Sequence, residues 1–218
     1  PTPLTGTLQA TFVLREAKAD KLLSQVAEGT SMALAIHGED GSLEPDSTDV
    51  TANGTSLSGT SWYVQDIHKV DKFVVSANSE QGIGLYLVSA GDCDLQGDKI
   101  VDLTRDQGRV VMNGVEAEVI AAPGDGAEVL SRSLSAILTL LAADRQLQAT
   151  TEYAKVRTQF DRPIGFFQAV KHPIVNMMIS TDETRSLVYN AACAYDHEPQ
   201  DALRCALMAK ASASETAS

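Results

Sequence analysis

Residues 108–130, GRVVMNGVEAEVIAAPGDGAEVL, decide the fold, because the spacing of the apolar residues changes within them. As far as Ala122 the stretch is rich in β-branched residues and partly alternates, the period-2 pattern of strands. Pro123-Gly124 interrupts it. From Asp125, placed to cap a helix, Val129, Leu134, Ile137, Leu138, Leu141 and Leu147 recur on one broad helical face, which predicts a helix continuing through Tyr153 to about Phe160.

Upstream of this junction the β pattern persists. MALAI from Met32, TSLSGTSWYV, DKFVVSA and GIGLYLV are short β-type runs separated by Gly, Asn, Asp and Ser. Asn53-Gly54 and Asn113-Gly114 predict hairpins, since both residue types tolerate the positive φ of a type I′ turn. The spacing predicts six or seven strands. Before them, residues 16–28 place Ala19, Leu22, Leu23 and Val26 at helical spacing and end at Gly29, a helix stop. Downstream, Asp161-Arg162-Pro163-Ile164-Gly165 breaks the first long helix. A second helix follows from about Phe166 to Tyr195, with Pro173 in its first turns, and a third starts near Pro199. Long apolar-faced helices with short connections imply an antiparallel bundle, and their exposed face implies pairing with another chain.

The expected class is therefore α+β: an antiparallel β barrel or sandwich at 31–122, then an incomplete helical bundle at 123–218, with 1–30 a short helical lead-in. Both ends read as cut, Pro-Thr-Pro at one and helical KASASETAS at the other, so the chain is expected to be part of a longer protein.

The 218 residues are 44% hydrophobic, enough for a core. Seventeen basic against 29 acidic residues leave a net charge of −12, which opposes nucleic-acid polymers and anionic lipid surfaces. A small anion held by a few local arginines remains compatible with that charge. Cys93, Cys193 and Cys205 show no C-x-x-C spacing and suit reduced thiols. With no membrane-spanning run or signal-peptide pattern, the expected location is cytoplasmic.

Several site chemistries lack their residues. The acidic GDCDLQGD segment mimics a calcium loop but has Leu103 where a bidentate Glu is needed, and reads as a solvated loop. His37, His68, His172 and His197 lie in separate segments, so no metal site is expected. The nucleophile-elbow, P-loop and dinucleotide glycine motifs are absent. Two features remain. Trp62, the single tryptophan, is either half-buried core or a stacking platform. Arg157, Gln159, Phe160 and Arg162 place two cations, an amide and an aromatic ring together, either as ordinary helix-end chemistry or as a seat for a diphosphate and a ring.

The string YAKVRTQFDRPIGFFQAVKH, residues 153–172, resembles the signature of the acyl-CoA dehydrogenase family, Y-A-x-x-R-x-Q-F-G-x-P-I-x-x-F-Q-x-x-x-H. The following NMM, ETRSLVY and AACAYD extend the likeness, and NGTSLSGTSWYVQDIHKVDKFVVSA resembles the family's middle β domain more weakly. The resemblance implies an N-terminal helical domain, here mostly absent, a middle β domain, a four-helix bundle and FAD. The implied activity is α,β-dehydrogenation of an acyl-CoA thioester in lipid metabolism, including fatty-acid β-oxidation. By resemblance Arg157, Gln159 and Phe160 bind the ADP half of an FAD whose ring sits mainly in a neighbouring subunit, and Trp62 flanks the ring of its own subunit.

The departures sharpen the expectation. His37-Gly38-Glu39 stands for the family's Thr-Glu-Pro, Val64 for a flavin-bonding hydroxyl, and Asp161 for Gly. No catalytic residue can be named. Some members of the family, acting on steroid side-chain CoA thioesters in actinobacteria, work as unlike pairs. The resemblance therefore implies a supporting subunit of a hetero-oligomer, one that keeps the ADP-contacting residues. A self-sufficient homotetramer and a non-catalytic scaffold are the alternatives.

Overall fold

The computed structural model describes residues 3–42, 44–101, 105–139 and 152–216. The chain divides into two compact units, Pro1–Ser133 and Leu134–Ser218.

The first unit opens with two helices, α1 (Leu4–Glu16) and α2 (Asp20–Ala27). The short lead-in helix is found as α2, which buries Leu22 and is followed by Gly29 at φ 109°. The sequence reading missed α1. Its Thr-Gly-Thr start has poor helix propensity, but burial of Gly6, Ala10, Val13 and Leu14 along one side overrides that. Lys18 at φ 55° ends it in a left-handed turn.

Eight strands follow, β1 (Met32–Ala35), β2 (Val50–Asn53), β3 (Ser56–Gln65), β4 (Lys72–Ser79), β5 (Gly82–Ser89), β6 (Asp94–Gly97), β7 (Gln107–Glu116) and β8 (Glu118–Ala121). The order is β6-β7-β3-β2-β4-β5-β8, with β1 beside β4. The sheet exceeds the expected strand count and is mixed, because β1 runs parallel to β4 and β2 touches β4 in parallel at Thr51↔Asn78. β6 is the acidic segment that reads as a solvated loop: Asp94–Gly97 pairs with β7 instead.

Asn53-Gly54 forms the expected hairpin between β2 and β3, with Gly54 at φ 62°. Asn113-Gly114 does not. It lies inside β7, where Gly114 at φ 70° accompanies a register shift opposite Leu57 and Ser58. The same positive φ that suits a turn here makes a β-bulge, and Ser58 Oγ accepts the Gly114 N–H at 3.0 Å. The core gathers Leu57, Val64, Ile67, Phe73, Val75, Tyr86, Val110 and Met112, all essentially inaccessible.

Helix α3 (Gly126–Thr139) begins directly after Pro123-Gly124, as the change of period predicts. The expected continuation through Leu141 and Leu147 lies outside the described residues.

In the second unit, residues 152–156 are helical. The helix does not reach Phe160: β9 (Thr158–Gln159) and β10 (Arg162–Pro163) form an antiparallel pair. Helices α4 (Gln168–His197) and α5 (Pro199–Thr216) match the expected second and third helices, with Pro173 near the start of α4. They form a helical hairpin joined at Glu198. Asn190 lies near Cys205, and Thr184 near Ser212 and Thr216, so contacts spread outward from the turn. Ala191, Ala194, Cys205, Ala206 and Ala209 fill the seam, and such small side chains let the helices approach closely. Tyr189, Met178, Ile179, Leu207 and Met208 stay exposed in this chain. No helix among the described residues is long and apolar enough to cross a membrane.

Candidate functional site

The second unit presents Arg157, Gln159 and Phe160 on one tight hairpin. The Arg157 N–H donates to the Tyr153 carbonyl at 2.9 Å, ending the helical turn, and its own carbonyl accepts the Ile164 N–H at 2.8 Å. Between these anchors Gln159 pairs with Arg162, leaving Phe160 and Asp161 as a two-residue turn at φ 53° and 61°. Positive φ at both positions is the type I′ geometry. Asp161 therefore occupies a left-handed position that glycine adopts without steric cost.

Aromatic contacts hold the turn. The Phe160 ring meets Phe167 edge-on at 6.0 Å, and Phe167 meets Phe166 at 5.8 Å. The Arg162 guanidinium lies 4.4 Å from the Phe166 ring centroid. Phe160 nevertheless remains 85% exposed. Arg157 and Gln159 are exposed too, and no ion pair of Arg157 occurs among the described residues. The hairpin thus offers a free fork of N–H donors, an amide and an open aromatic face, the chemistry that suits a diphosphate and a ring. Beside it, Ala154, Pro163, Gly165, Ile174 and Val175 line an apolar cleft of about 320 Å³ with Lys155 and Lys171. Gly165 gives close packing there, since a Cβ would come within 3.1 Å of the Ala154 carbonyl.

Trp62 belongs to the first unit. The β3–β7 register shifts between Ser61↔Val110 and Val64↔Gly108, so Trp62 and Tyr63 together oppose Arg109, a β-bulge. Tyr63 takes φ 55°. The Trp62 backbone N–H donates to the His37 carbonyl at 3.0 Å, and the Tyr63 hydroxyl to the Glu39 carbonyl at 2.8 Å. The Arg109 guanidinium lies 5.1 Å from the Trp62 ring centroid. Trp62 Nε1 is buried with no hydrogen-bond partner. Val64 is 1% exposed and belongs to the core cluster, so its side chain serves packing. The structure brings Arg157, Gln159 and Phe160 together on one hairpin, and Trp62 forms a separate feature in the other unit.

Sequence reasoning missed Arg109. A lone arginine in a strand carries no signal, and only the pairing register sets it against Trp62. Elsewhere in the first unit, burial would raise the Asp106 carboxyl pKa, but hydrogen bonds and charge from His68, with Lys69, outweigh it and hold it below the usual carboxylate range. Burial, aided by Asp92, pushes the Cys93 thiol up to about 11. Among the described residues no cluster of three His, Cys, Asp or Glu side chains could hold a metal ion.

The model of the acyl-CoA dehydrogenase C-terminal domain matches residues 129–218. The chain is 31% identical over 177 residues to acyl-CoA dehydrogenase FadE27 of Mycobacterium tuberculosis, covering 78% of this chain and 47% of that protein. It is 30% identical over 193 residues to acyl-CoA dehydrogenase IpdE2 of the same organism, covering 88% and 51%. It thus spans about half the length of these relatives. Among solved structures, a variant of the Tcur3481-Tcur3483 steroid ACAD superposes with a TM-score of 0.81 at 28% identity, covering 100% of this chain and 62% of that one.

Proposed function

The chain belongs to the acyl-CoA dehydrogenase family, and from that premise we propose that it is a supporting subunit of a cytoplasmic, FAD-dependent acyl-CoA dehydrogenase. In this reading Arg157, Gln159 and Phe160 bind the ADP half of an FAD shared with a homologous catalytic partner. Trp62 flanks the isoalloxazine ring of the chain's own subunit. When bound, FAD supplies the two-electron acceptor for α,β-dehydrogenation of an acyl-CoA thioester.

The observation that carries the reading is the hairpin, where an exposed Arg157 without an ion pair among the described residues stands beside Gln159 and an open Phe160 ring. These groups fit the cofactor: the guanidinium donates to diphosphate oxygens, the amide exchanges hydrogen bonds with ribose or base, and the ring packs against a flat face. Trp62 enters this reading through the family resemblance; its Nε1 is buried and the Arg109 guanidinium lies over its ring. We assign no catalytic base to this chain. The steroid ACAD among the similar structures supports a steroid-type acyl group and an unlike partner.

The test is the absorption spectrum and native mass of the chain, alone and co-expressed with a homologous subunit from the same source. A colourless single chain and a larger yellow complex with fewer than one FAD per chain are expected. A lone chain that is yellow, tetrameric and active supports a homotetramer instead. A chain colourless with every partner supports a scaffold. Arg157→Ala is expected to weaken FAD binding about tenfold or more while leaving the fold intact.

A further inference from the structure

The tip of the hairpin, Phe160-Asp161, stands out from the chain, and Phe160 is 85% exposed. An exposed ring held at one edge can still pivot. This hairpin rests on two points. Phe160 meets Phe167 edge-on at 6.0 Å, and Arg162, just past the turn, lays its guanidinium 4.4 Å from the centroid of Phe166. The two supporting rings are consecutive in the chain and meet each other at 5.8 Å and 90°. Phe167 is anchored in turn, because its carbonyl accepts the N–H groups of Val170 at 3.0 Å and Lys171 at 2.9 Å as α4 begins. A closed circuit results, with Phe160, Asp161 and Arg162 in sequence on one side and Phe167 and Phe166 on the other. Among the described residues Arg162 makes no ion pair, so the Phe166 ring is what its cation rests on.

We propose that Arg162 is a positioning residue of the nucleotide seat: stacked on Phe166, it fixes the tilt of the hairpin and with it the direction in which the Phe160 ring faces. This role rests on the reading that Phe160 packs against the flat base of the ADP half. Arg162 acts through Phe166 and leaves the diphosphate to Arg157. A ligand with a base therefore feels its loss, and a bare diphosphate does not.

The assembly co-expressed with the homologous subunit is stripped of flavin and refilled with FAD, with ADP or inorganic pyrophosphate as competitor and flavin fluorescence as the readout. A salt concentration of about 0.5 M screens the change of charge itself. Arg162→Gln is expected to weaken ADP about threefold and to leave pyrophosphate unchanged, while Arg162→Lys, which keeps a cation for the ring, retains most of the affinity. In an assembly already carrying Phe166→Leu, Arg162→Gln costs nothing further. Undiminished ADP affinity in Arg162→Gln, an equal loss for pyrophosphate, or an undiminished effect in the Phe166→Leu assembly overturns the positioning role alone. A wild-type assembly that takes up no FAD, or FAD that ADP does not displace, overturns the ADP-half reading and this role with it. Arg162→Met takes the place of Arg162→Gln if the latter does not assemble.

Discussion

Replacing Asp161 with glycine separates the strain of the Phe160-Asp161 turn from its charge. Asp161 sits at φ 61°, a left-handed conformation costing a non-glycine residue roughly 1 kcal/mol, with Asp at the tolerant end of the range. Glycine removes that cost but returns a few tenths of a kcal/mol through its freer unfolded chain. The expected net gain is about 0.5 kcal/mol, or roughly 2–4 °C in the melting temperature of a unit this size. The substitution also removes a carboxylate from the hairpin carrying Arg157, which is expected to raise ADP affinity about twofold at low salt. Asp161→Ala is the control, since it removes the charge and keeps the backbone strain. Differential scanning calorimetry and ADP titration on the three chains read the two effects. The expected pattern is higher affinity in both variants and higher stability only in Asp161→Gly. A glycine variant no more stable than the alanine variant refutes the strain argument.

Other outcomes follow from single contacts. Tyr86→Phe deletes a buried hydroxyl without a partner, so the denaturation midpoint is expected to hold or rise, by up to about 1 kcal/mol in stability. Gly59→Ala puts a Cβ 2.2 Å from the Asp49 carbonyl at φ 133° and should cost more than about 2 kcal/mol by the same measure. Asp106 has a folded pKa below its ordinary value, so its stabilisation is present above about pH 4 and lost as pH falls through the folded pKa. Denaturation of Asp106→Asn should therefore differ from wild type at pH 7 and converge with it toward pH 3; an undiminished gap at pH 3 counts against the pairing with His68. Peptide-mapped iodoacetamide labelling at pH 8 should modify exposed Cys193 first and leave Cys93, whose thiol is pushed up to about 11, largely unreacted.

What could be read from sequence depended on whether a local pattern had one structural meaning. Asn53-Gly54 sits between two β-type runs and forms the hairpin that its φ preferences suggest. Asn113-Gly114 has the same preferences, but long-range pairing with β3 turns it into a bulge within a continuous strand. Around Arg157 the cations resemble helix-end chemistry, so the sequence reading extends the helix to Phe160. The tie between Ile164 N–H and the Arg157 carbonyl and the Gln159↔Arg162 pairing produce a hairpin. The residues grouped there were legible, and the element presenting them was not. Arg109 was invisible for a similar reason: its neighbour Trp62 is 47 positions away along the chain and adjacent only through strand register.

The departures from the family pattern near Trp62 bear on whether this part of the chain has lost its site or rebuilt it. His37 supplies the carbonyl that accepts the Trp62 backbone N–H, and its Nδ1 lies 3.1 Å from the Ser42 carbonyl. Glu39 accepts the Tyr63 hydroxyl through its carbonyl, while its N–H donates to Asp49 Oδ2 at 2.8 Å. Gly38 leaves room that no other residue could, because a Cβ would lie 2.0 Å from the Ser47 carbonyl. Val64 completes the bulge by packing into the core. His37 and Glu39 thus hydrogen-bond to Trp62 and Tyr63 through backbone carbonyls that any residue supplies, and Val64 belongs to the core. Two features do depend on residue identity: the Glu39 N–H to Asp49, which proline would lack, and the space at Gly38. Both hold the altered segment in place beside Trp62, which a scaffold and an enzyme subunit need equally, so flavin content with a partner, and not this packing, separates the two.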